Sequence, residues 1–283
     1  MNVKYATYSQ LFWLGLIMLL LPACDYVTPE DPPPPPAENT LMVYCDFTTS
    51  LNLESSAEIQ KFGEWVLKHA PRPANIEFYE ISRVAKASYL QARLEAKPDG
   101  LSGFDETIWE KEELANVEGY VNQLREEVDK LKGKYESDPD YRGANSCITN
   151  TLLQANKYLR PILAADSSHQ AYLILISDMI EECENSVLGK MYMNTRSASA
   201  VPARFEAIHE QVETKDPVPT EFARVKPLIL QVTQQDQKNP FSLYQSEFES
   251  LWQDIFLKLG FSEVAIKRWH FLPQPPPQQI WTH

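Results

Sequence analysis

The stretch Leu41-Met-Val-Tyr-Cys-Asp46-Phe-Thr48-Thr-Ser50 decides the reading of this chain. Its first half is apolar at every position, stops on an aspartate and passes at once into hydroxyl residues. A parallel strand is covered on both faces and is apolar along its length, and open α/β sheets bind ligands just beyond the carboxyl ends of their strands. Asp46 therefore stands where a site would be. Ala171-Tyr-Leu-Ile-Leu-Ile-Ser177-Asp178 repeats the pattern, a second apolar run ending on an aspartate. Two such ends predict one shared acidic pocket.

Working outward, strand and helix patterns alternate. Ser55-Ser-Ala-Glu58 reads as a capping box, and Ile59, Phe62 and Val66 follow at helical spacing until Pro71 and Pro73. Asn75–Ile81 alternates as a strand, and 87–94 reads equally as an antiparallel edge strand or a short helix. From Trp109 to Tyr135, Leu114, Val117, Tyr120, Val121, Leu124, Val128 and Leu131 recur every three or four residues. That is a long amphipathic helix, read as packed on its own domain rather than in a coiled coil between chains. A polar loop, 142–147, then enters a helix that Pro161 is expected to disturb. Beyond Asp178 come an acidic loop or short helix at 179–185, a helix marked by Phe205, Ile208 and Val212, a strand at 225–232 with Pro227 at its start or on an edge, and a helix of Phe248, Leu251, Trp252, Ile255, Phe256 and Leu259 that Gly260 can cap. Val264-Ala-Ile-Lys adds a last strand. This order predicts an α/β fold, a doubly wound and mostly parallel sheet flanked by helices, with a long helical insertion at about 100–140.

Composition sets bounds on function. The 283 residues are 43% hydrophobic, enough for a full core, and carry a formal charge of −13. A phosphate backbone needs a basic surface, so nucleic acid is not an expected partner. The sequence contains neither a Gly-x-Gly-x-x-Gly nor a Walker loop, which disfavours nucleotide cofactors. The five histidines are scattered and the cysteines lack zinc-ligand spacing, so a structural zinc site is not expected.

The N-terminal part has its own logic. Lys4 precedes the apolar run Leu11–Leu21, too short to span a bilayer but suited to an export signal. Leu21-Pro22-Ala23-Cys24 resembles the bacterial lipobox, which implies a signal peptide at 1–23 and a mature chain lipidated on Cys24. Asp25 after that cysteine implies, in enterobacteria-like sorting, retention at the inner membrane. The five consecutive prolines within 24–39 favour a semi-rigid extended tether, and the proline-rich 273–283 reads as a tail after a domain at 40–272. With Cys24 lipidated, Cys45, Cys147 and Cys183 remain in an oxidising compartment, which fits one disulfide and one buried thiol.

Three pieces, Asp46-x-Thr48-x-Ser50, Ser146 and Asp178, resemble the von Willebrand factor A domain and its metal-ion-dependent adhesion site. The pattern of that family is Asp-x-Ser-x-Ser, then a loop threonine, then an aspartate ending a strand. The resemblance covers about residues 40 to 260 and is carried by these motifs alone. Thr48 replaces a serine and keeps the hydroxyl, Ser146 fits the loop position with Thr149 as the fallback, and Met179 stands where a glycine usually follows the aspartate. The resemblance implies a non-enzymatic, extracytoplasmic module binding Mg²⁺, or Mn²⁺ or Ca²⁺, through Asp46, Thr48, Ser50, Ser146 and Asp178. A partner protein's acidic residue would complete the shell. On that fold Cys45, Cys147 and Cys183 fall near the pocket, and a Cys147–Cys183 disulfide would pin its loops.

Two other readings compete. A structural envelope lipoprotein with a degenerate pocket needs no cation. A haloacid-dehalogenase-like phosphatase also begins with a strand and an aspartate, but it needs a second aspartate where Thr48 stands.

Overall fold

A computed structural model describes residues 38–47, 53–81, 88–138, 146–183, 198–214, 225–231, 244–261 and 264–268. Cys24, the proline-rich tether, Thr48, Ser50 and the proline-rich tail lie outside the described residues. The sheet has six strands: β1 (Asn39–Asp46), β2 (Ala74–Ile81), β3 (Leu90–Leu94), β4 (Gln170–Ser177), β5 (Val225–Gln231) and β6 (Ala265–Arg268). Their spatial order is β3-β2-β1-β4-β5-β6, with β3 antiparallel and every other pairing parallel. The chain winds one way from β1 to β3 and the other way from β4 to β6, so this is a doubly wound α/β fold. Its topological switch lies between β1 and β4, where ligands bind in open sheets of this kind.

Both strands at the switch are buried along their length, which explains their unbroken apolar sequence. Successive side chains serve opposite layers. Leu41, Val43, Cys45, Ile174 and Ile176 face one layer, while Met42, Tyr44, Leu173 and Leu175 face the other. The first layer holds α1 (Leu53–His69) and the 35-residue α2 (Gly103–Ser137). The second holds α3 (Ile148–Ala165), α4 (Val201–Glu213) and α5 (Gln245–Lys258).

The long helix lies on its own domain. Val117, Val121, Leu124, Val128 and Leu131 are buried against α1 and the sheet, in register with the sequence period, whereas Leu114 is 57% exposed and off that face. Polar contacts fix it along its length. Glu113 pairs with Arg72 near the start, Arg125 with Glu64 at 2.7 Å in the middle, and Tyr135 Oη donates to Glu80 at 2.6 Å near the end. Among the described residues, no helix is long and apolar enough to cross a membrane.

Some elements settle a reading left open by the sequence, and others depart from it. The ambiguous segment at 87–94 forms the antiparallel edge strand β3. α1 begins at Leu53, so Ser55 stands inside its first turn instead of capping it. α3 runs through Pro161 to Ala165, because one lost backbone bond weighs less than the buried face of Leu152, Ala155, Leu159 and Leu163. β5 is internal, yet Pro227 precedes Leu228, where pairing with β6 begins. The segment after Asp178 is a loop through Cys183, without a helix.

Candidate functional site

At the carboxyl end of β1, the fully buried Asp46 meets two hydroxyls from distant parts of the chain. Ser146 Oγ donates to its carboxylate, 3.0 Å from Oδ1 and 2.9 Å from Oδ2, across 100 residues. Ser177 Oγ donates to Oδ2 at 2.8 Å from the end of the neighbouring β4. The sheet register creates the second contact, since β1 and β4 pair in parallel up to Cys45 and Ile176.

The loop after β4 is built around that junction. Met179 N–H donates back to Ser177 Oγ at 2.9 Å, and Ile180 N–H donates to Asp178 Oδ1 at 3.0 Å. Met179 has φ +63°, in the left-handed region that favours glycine. The turn that a glycine would provide is thus made by a methionine. Its carbonyl accepts Trp252 Nε1–H at 3.1 Å, and its side chain is buried in the core shared with α5.

From this loop Glu181 and Glu182 reach the start of α3. Glu181 Oε2 accepts Thr149 N–H at 2.8 Å and its hydroxyl at 3.0 Å, while Oε1 accepts Cys183 N–H at 3.1 Å. Glu182 Oε2 accepts Ser146 N–H at 3.3 Å, and Glu182 N–H donates to the Ser146 carbonyl at 2.9 Å. A carboxylate at the first N–H groups of a helix satisfies donors that have no partner within the helix and meets the positive end of its dipole. A Cys147–Cys183 disulfide joins the same two segments, with the Cα atoms 5.0 Å apart. Cys45 is a free thiol buried in β1, and burial pushes it up to about 12.

Asp46, Asp178, Glu181 and Glu182 are all buried. Burial pushes Glu181 up to about 7; the nearby Asp46 charge acts in the same direction, against the hydrogen bonds from Thr149 and Cys183. Of the residues expected from sequence, the structure brings Asp46 and Ser146 into contact and puts Asp178 at the end of the adjacent strand. Thr149 lies one turn further along α3, on Glu181. Ser177, Glu181 and Glu182 were not singled out by the sequence reading. Ser177 immediately precedes Asp178, and the two glutamates lie in the acidic run after it, so proximity to Asp178 was the available signal.

The donor chemistry fits a hard divalent cation. Asp46, Asp178 and Ser146 offer the carboxylate and hydroxyl oxygens that Mg²⁺ prefers.

No protein-family model matches this sequence, and no curated protein matches it. Among solved structures, the chain is similar to a von Willebrand factor type A protein from Catenulispora acidiphila, at 11% identity and TM-score 0.41, covering 82% of this chain and 39% of that one. It also matches the PilB minor pilin from Streptococcus sanguinis at 10% identity and TM-score 0.44, covering 89% of this chain and 61% of the pilin. A third match is the pilus adhesin SpaC from Lactobacillus rhamnosus GG in its open conformation, at 12% identity and TM-score 0.34, covering 81% of this chain and 28% of the adhesin. The chain spans less than two thirds of the length of each of these proteins. The fold class rests on the strand order and register given above, independently of these likenesses.

Proposed function

We propose that this chain is a non-enzymatic, extracytoplasmic protein-binding module, held to a bacterial membrane by a lipidated Cys24, that engages its partner through a divalent cation. The supporting observation is the convergence of Asp46 and Ser146 oxygens at the switch point, with Asp178 at the end of the adjacent strand. Asp46, Ser146 and Asp178 would hold the ion, with Thr48 and Ser50 supplying the hydroxyls of the motif after β1. When bound, the cation supplies a positive centre for an acidic group of the partner. The chain's own residues set the geometry: Ser177 orients Asp46, and Glu182 holds the backbone of Ser146.

Calorimetric titration of the chain from residue 25 onward with Mg²⁺, Mn²⁺ and Ca²⁺ tests the reading. Saturable binding that Asp46→Ala removes is expected, with no turnover of a generic phosphomonoester. Absence of binding would favour the structural lipoprotein, and turnover the phosphatase.

A further inference from the structure

We infer that Cys147, Cys183 and Glu181 form a second metal site, for a thiophilic divalent cation such as Zn²⁺, whenever the Cys147–Cys183 bond is reduced. The sulfur atoms and a Glu181 carboxylate oxygen all lie within 4.8 Å of one another, and all three residues are buried. Tetrahedral zinc with Zn–S bonds of about 2.3 Å sets its sulfurs about 3.8 Å apart. The sulfurs are bonded to each other in the oxidised chain, so after reduction the two side chains must rotate apart to reach that spacing, from Cα atoms 5.0 Å apart. The site does not rest on the oxygen-ligated cation proposed above, because its ligands are different atoms of different softness.

The chemistry of the pocket points to a metal. Reduction leaves two thiols against a carboxylate that lies at 0% exposure. Glu181 accepts hydrogen bonds from Thr149 and Cys183, which hold its carboxyl group beside the sulfurs as an oxygen donor. Two thiolates neutralise a divalent ion, and the Glu181 carboxylate as third ligand leaves one coordination position open, the arrangement of a three-ligand zinc site. Thr149 Oγ1 donates to Glu181 Oε2 at 3.0 Å and steadies that ligand. Two hydrogen bonds, one of them between backbone groups, also hold the two segments together without the disulfide. Glu182 N–H reaches the Ser146 carbonyl at 2.9 Å, and Thr149 N–H reaches Glu181 at 2.8 Å.

The two states are exclusive and balance simply. A dithiol reductant delivers two electrons and two protons to the disulfide, giving two thiols and the reductant's own disulfide. The metal then displaces both thiol protons to solvent as it binds. Reoxidation by a disulfide-bearing partner removes two electrons from the thiolates, forms the sulfur–sulfur bond and expels the ion.

Cobalt tests this, because thiolate ligation gives Co²⁺ a charge-transfer absorption that oxygen ligands do not. The full chain in detergent, reduced with a phosphine under anaerobic conditions, is titrated with Co²⁺ and then with Zn²⁺. A one-to-one thiolate band that zinc quenches is expected, and it should be absent from the oxidised chain. Cys147→Ser and Cys183→Ala should each lose it, and Glu181→Gln should keep the band with at least tenfold weaker affinity. Circular dichroism of each variant separates lost ligation from lost fold. No band in the reduced chain, or a band that survives both cysteine changes, overturns the assignment.

Discussion

Gly63 of α1 lies against Leu124 of α2, and replacing it tests whether the long helix is seated as described. A methyl at that position would be 3.2 Å from Phe78 Cε1 and 3.4 Å from Leu124 Cγ, and would overlap Leu124 Cδ2. Phe78 and Leu124 are both fully buried, so the obstruction is the end of a leucine with little room to turn. Overpacking of this kind costs about 1–3 kcal/mol. The gain in helix propensity from glycine to alanine offsets about 1 kcal/mol of it. Gly63→Ala should therefore destabilise the domain by about 1 kcal/mol. Leu124→Ala alone should cost about 2–5 kcal/mol by opening a cavity. The double variant places the new methyl in that cavity, so its loss should fall short of the sum by about 1 kcal/mol or more. Urea unfolding of the oxidised chain followed by far-ultraviolet circular dichroism measures all three. If Gly63→Ala is instead stabilising and the two changes add, α2 does not pack there, and the coiled coil between chains returns as the better account.

Four further outcomes follow from the same contacts. Ser146→Ala should cost about 1.5–3 kcal/mol in urea unfolding, because a buried carboxylate loses a donor to both its oxygens. In calorimetry it should also weaken Mg²⁺ binding at least tenfold more than Thr149→Ala does, since Thr149 bonds to Glu181 and Ser146 to Asp46. Glu113→Ala should cost about 1–3 kcal/mol by thermal unfolding, below the full loss for a sealed ion pair because Arg72 keeps 27% of its side chain in solvent. For Glu181, a folded value of about 7 against 4.5 means that the folded chain holds the extra proton between those limits. Its contribution is thus fully present below pH 4.5 and is lost as pH rises through about 7, a fall of about 3 kcal/mol that chelator-treated Glu181→Gln should not show in urea unfolding across that range.

Much of the fold could be read in the sequence because buried parallel strands leave few choices. The unbroken apolar runs of β1 and β4 mark the two central strands, and the aspartates at their ends mark the switch point. The α2 period was clear because nearly all of its buried face is aliphatic. Leu114 misled because an exposed leucine has the same letter as a buried one, and the helix drifts around its axis from the sheet-facing row. Pro161 misled because local propensity predicts a break that tertiary burial of α3 overrides. The site was legible only in part: Asp46, Ser146 and Asp178 follow from the order of the motifs, whereas the roles of Glu181 and Glu182 depend on a loop that folds back onto α3. No periodicity records a loop's path.

The glycine missing after Asp178 shows how that loop is maintained. An L-residue in the left-handed region costs about 1–2 kcal/mol, and Met179 adopts that conformation with φ +63°. The cost is tolerated because the residue is held on three sides: Ser177 takes its N–H, Trp252 takes its carbonyl, and the core of α5 takes its side chain. Four residues later the chain is tied again, by Cys183 to the first turn of α3. Between these two anchors Glu181 and Glu182 have little freedom to leave the helix N-terminus. A flexible glycine turn would let the carboxylates relax away from one another. The clamped methionine turn keeps Glu181 in place, so its repulsion with Asp46 is built into the folded state rather than dissipated by loop motion. Strain of that kind persists only where surrounding structure over-determines it, and here it coincides with the topological switch point of the sheet.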